Sequence, residues 1–239
     1  MITQPDSRFL RRLPGIAIIL LCAVATVRGA DPPGGSQTVA GMVKYVANPA
    51  VQWRYSRYYV TDAGMGWLAE CVVALVGANE VGKRTDRPSA THVMDQKNHL
   101  FVPETMAVHA GDKVKFTNSD DALHNVLSAA KIASFNVNLG KGQANVQTFK
   151  TAGGVEQPVQ LGCVYHGAMR AWIYVFDHDH FTVTGADGRF RFTDVPPGKY
   201  ELVAVHPAGR MRLSQPVEVG SGPVENLVIE LSPKSVNSK

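Results

Sequence analysis

Val159-Gln-Leu-Gly-Cys163-Val-Tyr-His166-Gly-Ala-Met169-Arg-Ala-Trp-Ile-Tyr-Val-Phe176 reads as two strands joined by a short loop. Residues 159–164 and 171–176 are apolar runs of strand length, rich in β-branched and aromatic residues, and too short for core helices. The pattern continues upstream through candidate strands at 100–103, 105–109, 113–117, 124–127 and 146–151. In 113–117, Val114 and Phe116 point inward and Lys113 and Lys115 outward, after a Gly111-Asp112 turn. Nearer the N-terminus, 39–46 ends at Asn48-Pro49. In 70–76, Val72, Ala74 and Val76 share one face and Cys71, Val73 and Leu75 the other. Downstream, Phe181 and Val183 lead into Ala186-Asp187-Gly188, and Phe190 and Phe192 lead out, which predicts a hairpin. A second turn spans 195–199, Tyr200, Leu202 and Ala204 alternate, and 216–219 and 227–231 supply two more strands. With no amphipathic helix and no internal repeat in view, the fold class is all-β.

The quoted loop carries a C-x₂-H-x₂-M spacing. Some forty residues earlier His124-Asn125-Val126 follows an Asn-Ser-Asp-Asp turn. One thiolate, two imidazoles and a thioether are the donor set of a type 1 copper site. Cys163, His124 and His166 would supply a near-trigonal plane and Met169 a weak axial sulfur. That geometry suits Cu(I) and Cu(II) about equally, so little moves when an electron does. A soft thiolate also excludes Mg²⁺ and Ca²⁺, which take oxygen donors, whereas Zn²⁺ accepts Cys and His readily.

On these residues, 94–177 resembles a small cupredoxin with the short ligand loop of amicyanin. The run Phe101-Val-Pro103 … Val108-His-Ala-Gly111-Asp112-Lys-Val114-Lys-Phe116-Thr-Asn118 … His124-Asn125-Val126 is similar to the cupredoxin approach to its first histidine. The resemblance implies a Greek-key β-sandwich and one type 1 copper ion, held by His124, Cys163 and His166 in the plane and Met169 on the axis. It also implies that Asn125 hydrogen-bonds toward the cysteine loop. A second resemblance, to carboxypeptidase regulatory-like (transthyretin-like) modules, rests on Thr184-Gly-Ala-Asp187-Gly188-Arg-Phe190-Arg-Phe192-Thr-Asp-Val195-Pro196-Pro197-Gly198-Lys-Tyr200-Glu-Leu202. Gly41-Met-Val43 and the apolar 71–75 run can supply that module's opening strands. The expected organisation is a leader at 1–30, a regulatory-like sandwich in two parts at 38–92 and 178–232, a cupredoxin at 93–177 inserted in or joined to it, and a tail at 233–239.

The chain has 239 residues, 45% hydrophobic and 18% charged, enough apolar content to fill real cores. Its formal charge of +4 is concentrated at the start, where Arg8, Arg11, Arg12 and Arg28 face one acid, Asp6. The remainder lies within one charge of neutral and shows no nucleic-acid footprint. Arg8, Arg11 and Arg12 precede an apolar run at 13–27, in the order of a secretory signal. Residues suited to cleavage stand at Ala23 and Ala25 and at Val27 and Gly29; the alternative is an uncleaved anchor. A periplasmic or secreted chain with no membrane span in its mature part is expected. Removing Cys22 with the leader leaves Cys71 and Cys163, and a disulfide between them is the structural rival of the metal site.

The other candidates read as ordinary side chains. Cys71 is expected to pack as a small hydrophobe, and His178 and His180 to be exposed. His92, His99, His109 and His206 show no ligand spacing and are expected on the surface or in packing. The aromatic residues from Trp53 to Tyr59 are expected to stack across the outside of a sandwich, the alternative being a docking or glycan-binding surface; the longer stretch to Trp67 has no assigned role. Four protein donors would leave a metal no open position, and no hydrolase triad or nucleotide loop is present, so the chain is expected not to be an enzyme. The expectation is a monomeric, single-electron carrier between redox proteins of cytochrome or dehydrogenase type. The alternatives are a copper carrier or sensor, and a metal-free extracellular binding module.

Overall fold

The apolar runs at 72–75 and 171–176 lack the alternation of a half-exposed strand because both of their faces are buried. The computed structural model describes residues 35–77 and 87–234, so the expected leader, most of the linker after 77 and the end of the tail lie outside it. Among the described residues there is no α-helix, only a 3-10 turn at Ser56–Tyr58 and eighteen strands. First come β1 (Gln37–Tyr45), β2 (Val60–Asp62), β3 (Trp67–Leu68) and β4 (Val72–Gly77). The middle holds β5 (Thr91–Lys97), β6 (Leu100–Val102), β7 (Thr105–His109), β8 (Lys113–Asn118), β9 (His124–Ala130), β10 (Ala133–Leu139), β11 (Ala144–Thr148), β12 (Val159–Gly162) and β13 (Arg170–Phe176). Last are β14 (Phe181–Val183), β15 (Arg189–Val195), β16 (Gly198–His206), β17 (Met211–Val219) and β18 (Val224–Leu231). The fold is all-β, as the alternation predicts.

Four sheets enclose three cores. In sheet I, β1 pairs with β15, β18 and β3, and β2 joins β3; sheet II runs β14-β4-β16-β17. Sheet III runs β10-β9-β12-β13-β7 and sheet IV β11-β8-β5-β6. Val43, Leu68, Phe190 and Ile229 of sheet I meet Val73, Leu202 and Ala204 of sheet II around Cys71. Val72, Ala74, Val203 and Val205, on the other face of sheet II, meet Trp172, Tyr174 and Phe176 of β13. The opposite face of β13, with Ala171, Ile173 and Val175, packs on Met94, Val114 and Phe116 of sheet IV. β4 and β13 are therefore the inner strands of a stacked pair of sandwiches. Sheets I and II each combine strands that precede and strands that follow sheets III and IV in the chain.

Local sequence explains the joints. Gly41 in β1 lies so close to β18 that a Cβ there would overlap the Leu227 carbonyl oxygen and the Phe190 ring. Gly188 takes a left-handed φ of 65° and presses against the Val43 carbonyl, so glycine satisfies both demands of that turn.

Several expectations are corrected. The 186–188 turn is not a hairpin, because β14 pairs with β4 and β15 with β1; the chain crosses from sheet II to sheet I there. β5 and β10 were hidden by polar residues: in β5 only Met94 and Gln96 are fully buried, and β10 interleaves Asn136 and Asn138 with its apolar side chains. The aromatic stretch does not lie wholly outside. Trp53 and Tyr59 enter the core between sheets I and II, stack with ring centroids 5.3 Å apart, and both meet buried His206 edge-on, while Tyr55 and Tyr58 stay exposed. From this strap the Tyr59 hydroxyl donates to Glu104 Oε2 at 2.7 Å.

Candidate metal centre

β12 and β13 pair up to Gly162↔Arg170, so Cys163 to Met169 is the hairpin connection at one end of sheet III. The Met169 N–H donates to the His166 carbonyl at 2.9 Å and tightens this loop. Met169 and Cys163 both reach into the core between sheets III and IV, where they are 2% and 6% exposed. Arg170, the next residue, has its guanidinium 5.5 Å from the Tyr55 ring and 5.4 Å from the Trp172 ring, with Nε 3.5 Å from Glu104 Oε1. The aromatic strap thereby grips the end of the loop.

His124 opens β9 beside this hairpin. The turn before it is built by Asn118, whose Nδ2 donates to the carbonyls of Ala122 and Leu139 and whose Oδ1 accepts the Asp120 N–H. His124 is fully buried, and its Nε2 lies 2.8 Å from Asp120 Oδ2. Asp120 also accepts the backbone N–H groups of Asn98 at 2.7 Å and His99 at 2.9 Å. Burial opposes its charge, but these N–H groups and the His124 ring outweigh burial and pull the carboxyl down to about 2. An ionised Asp120 holds the proton of His124 on Nε2 and leaves Nδ1 as a lone pair facing the loop.

The donor atoms converge. His124 Nδ1 lies 3.0 Å from His166 Nδ1, and Cys163 Sγ lies 3.7 Å from His166 Nδ1. Two imidazole nitrogens at that distance can share either one proton or one metal ion. Cys163 Sγ also accepts the Asn125 backbone N–H at 3.3 Å, which fixes the sulfur against the start of β9. His166 is half-buried; partial desolvation, with His124 and His99 nearby, lowers its pKa and keeps the ring neutral and able to ligate. Two nitrogens, a sulfur and a buried thioether in the same core fit a soft or borderline ion such as copper.

Other sequence readings change here. The Asn125 side chain turns away from the cysteine loop: its Nδ2 donates to Asn136 Oδ1, Asn138 Oδ1 and the Val137 carbonyl of β10, and the link to Cys163 comes from its backbone. Cys71 and Cys163 are free thiols in different cores, which removes the disulfide; burial pushes the Cys71 thiol far up, leaving it inert. His180 is buried rather than exposed, and His178 is half-buried. His92 and His109 flank the buried carboxylate of Asp112. No ligand spacing marks His99, yet one ring nitrogen each of His99, His124 and His166 lies within 4.8 Å of the others. The signal that could have found it is the Asn98-His99 pair, a two-residue turn before the Phe101-Val-Pro103 strand.

Residues 89–176 match the family model for copper binding proteins of the plastocyanin/azurin family. Among solved structures, an oxidised mutant of amicyanin is 27% identical over 43% of this chain and 91% of its own, with a TM-score of 0.32. Amicyanin from Paracoccus versutus (Thiobacillus versutus) is 23% identical over 43% of this chain and 96% of its own, also with a TM-score of 0.32. No curated protein matches the chain. The family match spans less than half of the chain; the matched portion contains sheets III and IV and is the one that brings His124, Cys163 and His166 together, with Met169 buried in the same core as Cys163.

Proposed function

We propose that this chain is an exported type 1 copper protein that carries single electrons between redox proteins. The observation that carries the reading is the convergence of His124 Nδ1, His166 Nδ1 and Cys163 Sγ at the end of one sandwich. A copper ion bound there supplies a one-electron couple. Cys163 would hold it as thiolate, His124 and His166 would complete the plane, and Met169 would cap the buried side. Asp120 orients the His124 ring, and the β12–β13 pairing holds Cys163 and Met169 at fixed separation. Such a frame resists rearrangement, which favours fast electron exchange.

His166 is the half-buried donor, between Tyr165 and Val164 on one side and Gly167 and Ala168 on the other, all exposed. A redox partner of cytochrome or dehydrogenase type would approach there. Sheets I and II would serve as a regulatory-like scaffold without chemistry of their own, and the protein would act as a monomer and not as an enzyme.

Adding Cu(II) to the purified mature protein tests the reading. An intense thiolate-to-copper absorption in the visible, lost in Cys163→Ser with the β-sheet circular dichroism intact, is the expected result. Tight Cu(I) binding without that absorption would instead favour a copper carrier, and no binding a metal-free module.

A further inference from the structure

His99 stands outside the four donors named by the sequence, on the solvent side of them. Its ring is edge-on to His166 with centroids 4.7 Å apart and to His124 at 5.3 Å, while His124 and His166 are 4.8 Å apart. Among the described residues these three histidines are the cluster able to hold a metal ion through His, Cys, Asp or Glu atoms alone. The backbone under His99 is fixed: Asn98 and His99 have φ of 54° and 58°, the left-handed pair of a two-residue hairpin, and both N–H groups end on Asp120. The side chain above it is 57% exposed. The ring is exposed and only loosely held, with Nδ1 3.9 Å from Asp120 Oδ2, so the imidazole can rotate about its side-chain bonds without disturbing the hairpin. Metal–nitrogen bonds of about 2.0–2.1 Å place ligand nitrogens roughly 3.5 Å apart, so a modest rotation of His99 closes the 4.8 Å spread.

Two donor sets therefore share His124 and His166. The outer set adds His99 and faces water; the inner set adds Cys163 and Met169 and is buried. We propose that His99, His124 and His166 form an outer three-imidazole site that captures Cu(II), which then passes inward by exchanging His99 for Cys163. In that exchange the bond from the ion to the His99 nitrogen breaks and a bond to Cys163 Sγ forms. The thiol proton leaves to water, and no electron is transferred. The transfer step rests on the copper reading given above; the outer site itself does not.

Rapid mixing of the metal-free mature protein with Cu(II) is the test, with His99→Gly as the variant because Asn-Gly suits a left-handed two-residue turn. Wild type is expected to show a weakly coloured early species that converts to the thiolate-copper absorption. His99→Gly is expected to lose the early species and reach the same final spectrum at least about tenfold more slowly. In Cys163→Ser, electron paramagnetic resonance of bound Cu(II) should report three nitrogens, falling to two in Cys163→Ser/His99→Gly. Equal uptake by wild type and His99→Gly, or an unchanged nitrogen count in the double variant, would overturn the proposal. If no thiolate absorption ever forms, the electron-carrier reading fails and the transfer step with it. The nitrogen count then decides the outer site alone.

Discussion

The Asp120 carboxylate lies 2.8 Å from His124 Nε2 and, through its other contacts, binds the backbone N–H groups of the hairpin that carries His99. One acidic group thus holds both the ring of buried His124 and the backbone of the hairpin that carries exposed His99. Asp120→Asn keeps the shape and removes the charge. It is expected to lower copper affinity by about 10–100-fold and to raise the reduction potential, because a neutral neighbour supports Cu(II) less well. Competition titration and voltammetry read the two effects; an unchanged affinity and potential would reduce Asp120 to a turn-forming residue.

Met169 is 2% exposed in the core between sheets III and IV, so its roles in packing and ligation can be separated. Met169→Leu is nearly volume-conserving and is expected to cost less than about 1.5 kcal/mol of stability. Loss of the thioether should raise the reduction potential, since a weak donor to Cu(II) is removed. Urea unfolding and voltammetry on the same variant check both.

His206 is fully buried with its ring edge-on to the stacked Trp53 and Tyr59, and its Nδ1 accepts the Gly209 N–H at 2.9 Å. Burial lowers its pKa to about 4 from an ordinary 6.5. Between these values the unfolded chain binds a proton that the folded one refuses. The stabilising contribution is therefore whole above pH 6.5, falls as the pH drops toward 4 and is gone below that, a change on the order of 3 kcal/mol. His206→Gln should flatten the difference between urea midpoints at pH 7 and pH 4. An equally steep decline in the variant would mean that other groups cause it.

Asp112 is buried in the turn between β7 of sheet III and β8 of sheet IV, with Arg87 Nη1 at 2.5 Å, His92 Nε2 at 2.9 Å and the Ala90 N–H at 2.9 Å. Burial works against its charge, but these partners prevail and hold the carboxyl well below its ordinary 3.8. Its contribution is thus present above pH 3.8 and is lost as the pH falls further, toward the depressed folded value. Asp112→Ala strands the part-buried Arg87 and should cost about 3 kcal/mol at pH 7. Thermal unfolding at pH 7 would show the loss; a Tm unchanged from wild type would contradict it.

Residues 159–176 disclose much because their information is local. Alternation marks the strands that enclose the loop, and a C-x₂-H-x₂-M spacing places three donors on one hairpin before any long-range contact is known. The continuous apolar run at 171–176 also announces a strand buried on both faces, without saying what lies on each. β5 and β10 are not legible as strands because most of the β5 side chains and alternate β10 side chains are polar, so composition alone resembles a loop.

Residue types and short spacings determined the all-β class, the candidate donor residues and the turn glycines, since strand alternation and loop chemistry depend on neighbours a few positions apart. Tertiary structure alone decided that β14 and β15 part into different sheets, that Trp53 enters a core, and that His99 joins His124 and His166. Those outcomes depend on which distant strands pair. The site at the end of sheets III and IV is assembled from three separate connections whose proximity is a property of the packed sheets and not of any one segment.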